Sequence, residues 1–185
     1  MLYTLAIFSI VSLVSAYNYQ QVSTCRGVTG DPSFNTGQVT GIVREIYATS
    51  KTEDAGSDRC VYIKQGIFYV TRMDLGRTLL KFKLGPTKNG AFDETGPDNK
   101  SYRVVVLKKY GTECGNMNLL FRCSDSVGDA SIAPFVKLHA SVNATISSSC
   151  MKDAEDYAQK VLGQPVKLNV LKNCKCFPVE TFCSA

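Results

Sequence analysis

Apolar and polar residues alternate in short runs through most of the chain. Residues 41–49, "GIVREIYAT", alternate. "CVYIKQGIFYVTRM", 60–73, is rich in β-branched and aromatic residues, with Gly66 in its middle. "RTLLKFKLG", 77–85, places Leu80, Phe82 and Leu84 on one face and Lys81 and Lys83 on the other. "KSYRVVVLKKY", 100–110, places Tyr102, Val104 and Val106 together, and "GNMNLLFRC", 115–123, and "APFVKLHAS", 133–141, complete the set. Between them stand "GPTKNG", "ETGPDNK" and "DSVGDAS", the residue types that turn a chain. Period-two runs with short connections predict an antiparallel meander. A meander that closes on itself is a barrel.

The period then changes. "SSSCMKDAEDYAQKVLGQP", 147–165, reads as one helix over about 148–162. Ser148 or Ser149 is its expected cap. Asp153, Glu155 and Asp156 suit the positive end of the dipole. Met151, Ala154, Tyr157, Ala158, Val161 and Leu162 form one apolar stripe, and Gly163 and Pro165 end it. The outside of a barrel is a surface such a stripe can cover. The tail, 166–185, contains one short strand candidate, "VKLNVL", and three cysteines.

Residues 1–16, "MLYTLAIFSIVSLVSA", are apolar, uncharged and end in Val14-Ser15-Ala16, which reads as a cleaved signal peptide. A membrane anchor is the rival reading, and the run is short for one. The expectation is a secreted, extracellular domain, 17–185, with no membrane insertion. All eight cysteines, Cys25, Cys60, Cys114, Cys123, Cys150, Cys174, Cys176 and Cys183, follow the cut, and an even number there points to disulfides. Zinc wants clustered Cys and His; this chain has one His and no Cys-x-x-Cys, so no metal site is expected. The net charge of +5 is scattered rather than massed on one run. A nucleic-acid footprint needs a clustered basic face, so nucleic acid is not an expected partner. Asn99-Lys100-Ser101 and Asn143-Ala144-Thr145 are glycosylation sequons.

A turn, a barrel and then one packed helix resemble the order of lipocalins. "FNTGQVTGIVREIYATSK" is similar to the first-strand signature of that family, with Val43 where its tryptophan usually stands. "DRCVYI" resembles the opening of the second strand in arthropod members of the family, and "VVVLKKY" and "NLLFRC" resemble later strands. "FVKLHASVNATISSSCMKDAEDYAQKVLG" resembles the last strand, its connection and the helix. The family's arginine over that tryptophan is also missing, near His139 and Ala140. The base is therefore expected to close with Val43, Leu138 and the lead-in. The resemblance implies a closed eight-stranded up-and-down β-barrel with one C-terminal helix. It also implies that Cys25 pairs with Cys123 and Cys60 with Cys174 or Cys176. For the other cysteines the working pairs are Cys114–Cys150 and Cys176–Cys183.

No Gly-x-Ser-x-Gly, His-Glu-x-x-His or phosphate-cradling loop is present, and Glu53-Asp54 sit in a loop-like segment, so no enzyme activity is expected. The hollow of a barrel is the better candidate, because it holds one small ligand and burial of apolar surface drives binding. The expected lining is Glu45, Tyr47, Leu80, Phe82, Leu84, Tyr102, Val104 and Phe121, with plain core packing as the alternative for each. Glu45 is either a satisfied structural carboxylate or a partner for a cationic ligand. His139 stands either inward as a ligand contact or outward in solvent. The expected ligand is a small hydrophobic molecule: a lipid, sterol, retinoid, pigment or amine. No cofactor is expected; a tetrapyrrole would find no axial ligand beyond His139. The second reading is a protein-binding module, such as a protease inhibitor, acting through the loops. "GIFYVTRMDLGRT", 66–78, is similar to the central strand pair of cystatins, although the cystatin helix precedes that pair.

Overall fold

Runs rich in Val, Ile, Phe and Tyr form the strands, because branched and aromatic side chains pack well on a pleated surface. The computed structural model describes residues 25, 27–38, 41–48, 59–64, 66–72, 78–123, 135–141 and 144–170. A 3-10 helix, Thr36–Gln38, leads into β1 (Gly41–Ala48). There follow β2 (Arg59–Lys64), β3 (Ile67–Arg72), β4 (Thr78–Leu84), β5 (Ala91–Thr95) and β6 (Ser101–Lys109). A second 3-10 helix, Thr112–Cys114, precedes β7 (Asn118–Cys123); β8 (Phe135–Ser141), α1 (Ser148–Leu162) and β9 (Asn169–Val170) complete the order. Every pairing is antiparallel between sequence neighbours from β2 to β8. β1 pairs with β8 and also with β2, and β9 lies along the end of β1. The result is a curled sheet with a concave and a convex face.

The expected helix is present over its full span. Its cap, however, is Ser147, whose side chain accepts the Cys150 N–H, and neither Ser148 nor Ser149 holds that place. Gly163 closes α1 in the left-handed region. The three acids expected at the positive end lie beyond the first turn and bind elsewhere. Asp156 takes Lys152 one turn back, and Glu155 accepts the Leu168 N–H at 2.8 Å. β5 was not expected, since "AFDET" lies between two turn signals. The residues 115–117 expected in β7 form a turn instead, with Gly115 and Asn116 at positive φ.

The convex face and α1 share the larger core. Leu119, Phe121, Cys123, Val136, Leu138 and Ala140 of the sheet meet Cys150, Ala154, Ala158 and Leu162 of the helix. Ala154 and Ala158 are fully buried, and their small side chains let α1 lie close on the strands. Two disulfides tie this side: Cys25–Cys123 joins the lead-in to β7, and Cys114–Cys150 joins the second 3-10 helix to α1, both with Cα atoms 5.7 Å apart. Gly30 and Gly90 meet backbone to backbone, so a Cβ at either would overlap the backbone of the facing segment. That contact fixes the lead-in across the sheet, where Asp31 N–H donates to Val106 O and Val106 N–H to Gly90 O. The leader 1–16, Glu53-Asp54, the Asn143 sequon, and the bridges expected of Cys60, Cys174, Cys176 and Cys183 lie outside the described residues and side chains.

A polar clasp borders the helix seam. Lys108 Nζ and Tyr110 OH both donate to Asp153, each at 2.8 Å, and Lys108 lies over the rings of Tyr110 and Tyr157. The hydrogen bond from Lys108, then that from Tyr110, holds the Asp153 carboxyl below its usual value. A depressed folded-state value means that the contribution is present above the unfolded value of about 4 and is lost as pH falls through the folded one. Asp153→Asn should therefore lower the urea midpoint at pH 6, and the difference from the parent protein should shrink as the pH is taken below about 4. Urea titrations of both proteins across that range check it; parallel pH profiles would refute the clasp.

Candidate functional site

The concave face carries a second set of side chains, drawn from the opposite phase of the same strands. Phe34, Phe92, Val104, Val106 and Leu120 form one buried cluster, with Leu84 against it. Ile63 and Phe68 form another, with Val43, Leu80, Phe82 and Leu84 only half buried around them. Phe34 stacks on Phe92 at 5.9 Å, and Thr36 binds Thr87 through both its backbone N–H and its hydroxyl. The lead-in thus closes one end with an aromatic pair and a threonine pair.

The clusters enclose a cavity bordered by Phe34, Val43, Ile63, Phe68, Leu84 and Phe92, with Val104 and Leu120 beside them. Its polar border is Thr36, Glu94, Asn118, Lys137 and His139. The free volume of this cavity is about 30 Å³, enough for about two waters. Lys137 is 4 % and His139 5 % exposed. The His139 ring stacks on Phe68 at 5.6 Å, and Lys137 Nζ lies over the same ring at 5.2 Å. Arg122 Nε meets the buried Glu94 carboxylate at 3.4 Å, and the guanidinium lies 3.7 Å from the Tyr102 ring centre. Burial is the largest influence on the Tyr102 hydroxyl and holds it above the usual phenol value.

Of the expected lining residues, Leu84 and Val104 border the cavity. Leu80 and Phe82 share their face, and Tyr102 belongs to it through Arg122. Phe121 does not: it is 1 % exposed in the core beneath α1, and Leu120 takes the inward place. The inward face of β7 carries Asn118 and Arg122 beside Leu120 and the face under α1 is wholly apolar, so alternation reads the strand the wrong way round. Leu138 likewise packs under the helix rather than at the base, while its neighbour His139 points inward. Glu45 and Tyr47 stand opposite His139 and Leu138 in the β1–β8 ladder, and a register shift separates them. Their side chains are outside the described set. The exposed Asn99 sequon sits in the turn before β6, where Asn99 adopts a positive φ. Glu94, Lys137, Arg122 and Asn118 were not expected inside; buried charges at alternating positions read as a solvent face. Among the described residues no group of three or more His, Cys, Asp and Glu could hold a metal ion, and no helix is long and apolar enough to cross a membrane.

The sequence matches no family model and no curated protein. The fold does match solved structures. A mutant of LTBP1 in complex with leukotriene C4 superposes with a TM-score of 0.54 at 15% identity, over 84% of this chain and 97% of that one. The major allergen Per a 4 from cockroaches gives 0.51 at 14%, over 78% and 95%. H1 crustacyanin from the lobster Homarus americanus gives 0.51 at 14%, over 85% and 96%. These are lipocalins. Superposition on these structures over 78–85% of the chain gives this chain the lipocalin fold.

Proposed function

We propose that the protein is a secreted carrier whose sheet closes into an eight-stranded barrel and holds one small hydrophobic molecule. The pairing of β1 with both β2 and β8 supports closure. The observation that carries the function is the half-buried apolar wall. Val43, Leu80, Phe82 and Leu84 face the inside of the curl, yet protein atoms cover them only in part. A core residue at such a site would be covered outright. An occupant that covers about 200 Å² of apolar surface gains roughly 5 kcal/mol before the costs of ordering. The small free volume means that it makes room by shifting side chains on this wall, which favours a slender molecule. The complex of LTBP1, a protein of similar fold, with leukotriene C4 supports the reading.

Native mass spectrometry of the protein recovered from a eukaryotic secretion host tests the reading. The expected result is a mass excess that denaturation releases as a small organic molecule, and uptake of a neutral polarity-sensitive dye by the stripped protein. Recovery of a stable protein partner, with neither retained molecule nor dye uptake, would overturn the carrier in favour of a protein-binding module.

A further inference from the structure

We infer that Arg122 is the latch of the carrier, and that a guest enters or leaves the cavity when its guanidinium swings off Tyr102 and Glu94. This rests on the carrier reading and names the residue that controls passage. The strands give the curl two ends. At one, Phe34, Phe92 and the Thr36–Thr87 pair close the floor. At the other, β5 turns into β6, where Gly96 N–H donates to Lys100 O and Asn99 N–H to Gly96 O. Leu84, Phe92, Val104 and Leu120 border the cavity. Two residues further along each strand, toward the β5–β6 turn, stand Phe82 on β4, Glu94 on β5, Tyr102 on β6 and Arg122 on β7. Arg122 joins that layer together. Its Nε lies 3.4 Å from the buried Glu94 carboxylate. Its guanidinium lies 3.7 Å from the centre of the Tyr102 ring and 5.7 Å from that of Phe82. One side chain from β7 thus reaches across β6 and β5 to β4.

The wall is lowest beside this layer. The β4–β5 ladder consists of Lys83↔Thr95 and Leu84↔Glu94. β4 runs on to Thr78, paired throughout with β3, and no described strand continues along its other edge. Gly96, two residues beyond Glu94, has no side chain to fill the notch, and a Cβ there would lie 3.2 Å from Phe82 Cε1. On this side of the curl the way from the cavity to the notch runs past Arg122. The cover is of an unusual kind. A buried ion pair adds little stability over apolar side chains of the same volume, so the pair is a poor choice for a layer that only fills space. As a cover that opens it is well suited. Contact with a ring face holds a guanidinium without fixing it in one direction. Rotation about the side-chain torsions of Arg122 clears the layer and asks no strand to move, whereas an interlocked apolar layer yields only when its neighbours shift. Opening of such a cover sets the rate of exchange rather than the affinity.

Stopped-flow binding of N-phenyl-1-naphthylamine, a neutral polarity-sensitive dye, to the full secreted protein tests the latch. In the parent protein the observed rate should level off as dye concentration rises, because opening becomes limiting. Tyr102→Leu removes the ring under the guanidinium. Glu94→Gln combined with Arg122→Met removes the latch without leaving a buried charge alone. Each should raise the association rate about tenfold or more. Leu120→Ala, which enlarges the cavity beneath the layer, should alter dissociation and leave association within about twofold. A thermal melt establishes that each variant is folded; should neither latch variant fold, the concentration dependence in the parent protein decides alone. Association that is unchanged in the folded latch variants, or that rises equally in Leu120→Ala, overturns the latch and leaves the carrier standing. So does a parent rate that stays linear in dye concentration. A parent protein that takes up no dye overturns the carrier reading and the latch with it.

Discussion

Phe121→Ala should destabilise the protein by roughly 3–5 kcal/mol and leave dye binding by the folded fraction as it was. Phe121 is 1 % exposed, in the core between β7 and α1, where its ring touches the convex layer and the helix face. Its removal forfeits the transfer free energy of a phenyl group and opens a void that two disulfide-tied elements cannot fully collapse around. Leu120→Ala, one residue away, should behave differently. It costs about 2–3 kcal/mol by the same arithmetic, but it enlarges the cavity itself, so dye affinity and size preference should change. Urea unfolding and dye titration on the two variants separate the faces. A change of ligand preference in Phe121→Ala with none in Leu120→Ala would mean that the inside and the outside of the curl have been exchanged.

That pair of neighbours also explains how much of the molecule its sequence makes legible. The span and end of the helix were readable, though not its cap, because its stripe from Met151 to Leu162 repeats at helical spacing and Gly163 stops it. "RTLLKFKLG" was readable too, since Lys81 and Lys83 are exposed and mark the outer face unambiguously. "NLLFRC" and "FVKLHAS" were not. Both strands are covered twice, by α1 on one side and by the opposite wall on the other, so each face is apolar or partnered and the two-residue period carries no sign. In "FVKLHAS" the natural reading sends Val136, Leu138 and Ala140 to the ligand and Lys137 and His139 to water. The helix claims the first three, and the second two turn inward. β5 was missed for a related reason. "AFDET" hides one inward phenylalanine and one inward glutamate among turn-forming neighbours, and the glutamate is tolerated only because Arg122, distant in sequence, meets it. Burial of a charge by a remote partner leaves no local trace.

Loss of the Cys25–Cys123 bridge, by replacement of both cysteines with alanine, should be the most destabilising change confined to two side chains. The bridge spans 98 residues and Cys114–Cys150 spans 36. In the chain-entropy model these closures restrict the unfolded chain by about 4.7 and about 3.8 kcal/mol respectively. The longer bridge should cost more in the native state as well. Cys25 anchors the segment that carries Phe34 and Thr36 to the closed end, and Cys123 is itself fully buried under the helix. Its loss therefore loosens the floor of the cavity, and dye affinity should fall along with stability. Cys114–Cys150 holds the start of α1 to the turn before β7, on the convex side, and its removal should lower stability by the smaller amount with dye binding preserved. Denaturant unfolding of the two double variants, under oxidising conditions that keep the other cysteines as they are in the parent protein, gives both numbers. The larger loss, and the loss of binding, must fall on the Cys25–Cys123 variant; the reverse order would mean that the lead-in does not seal the barrel.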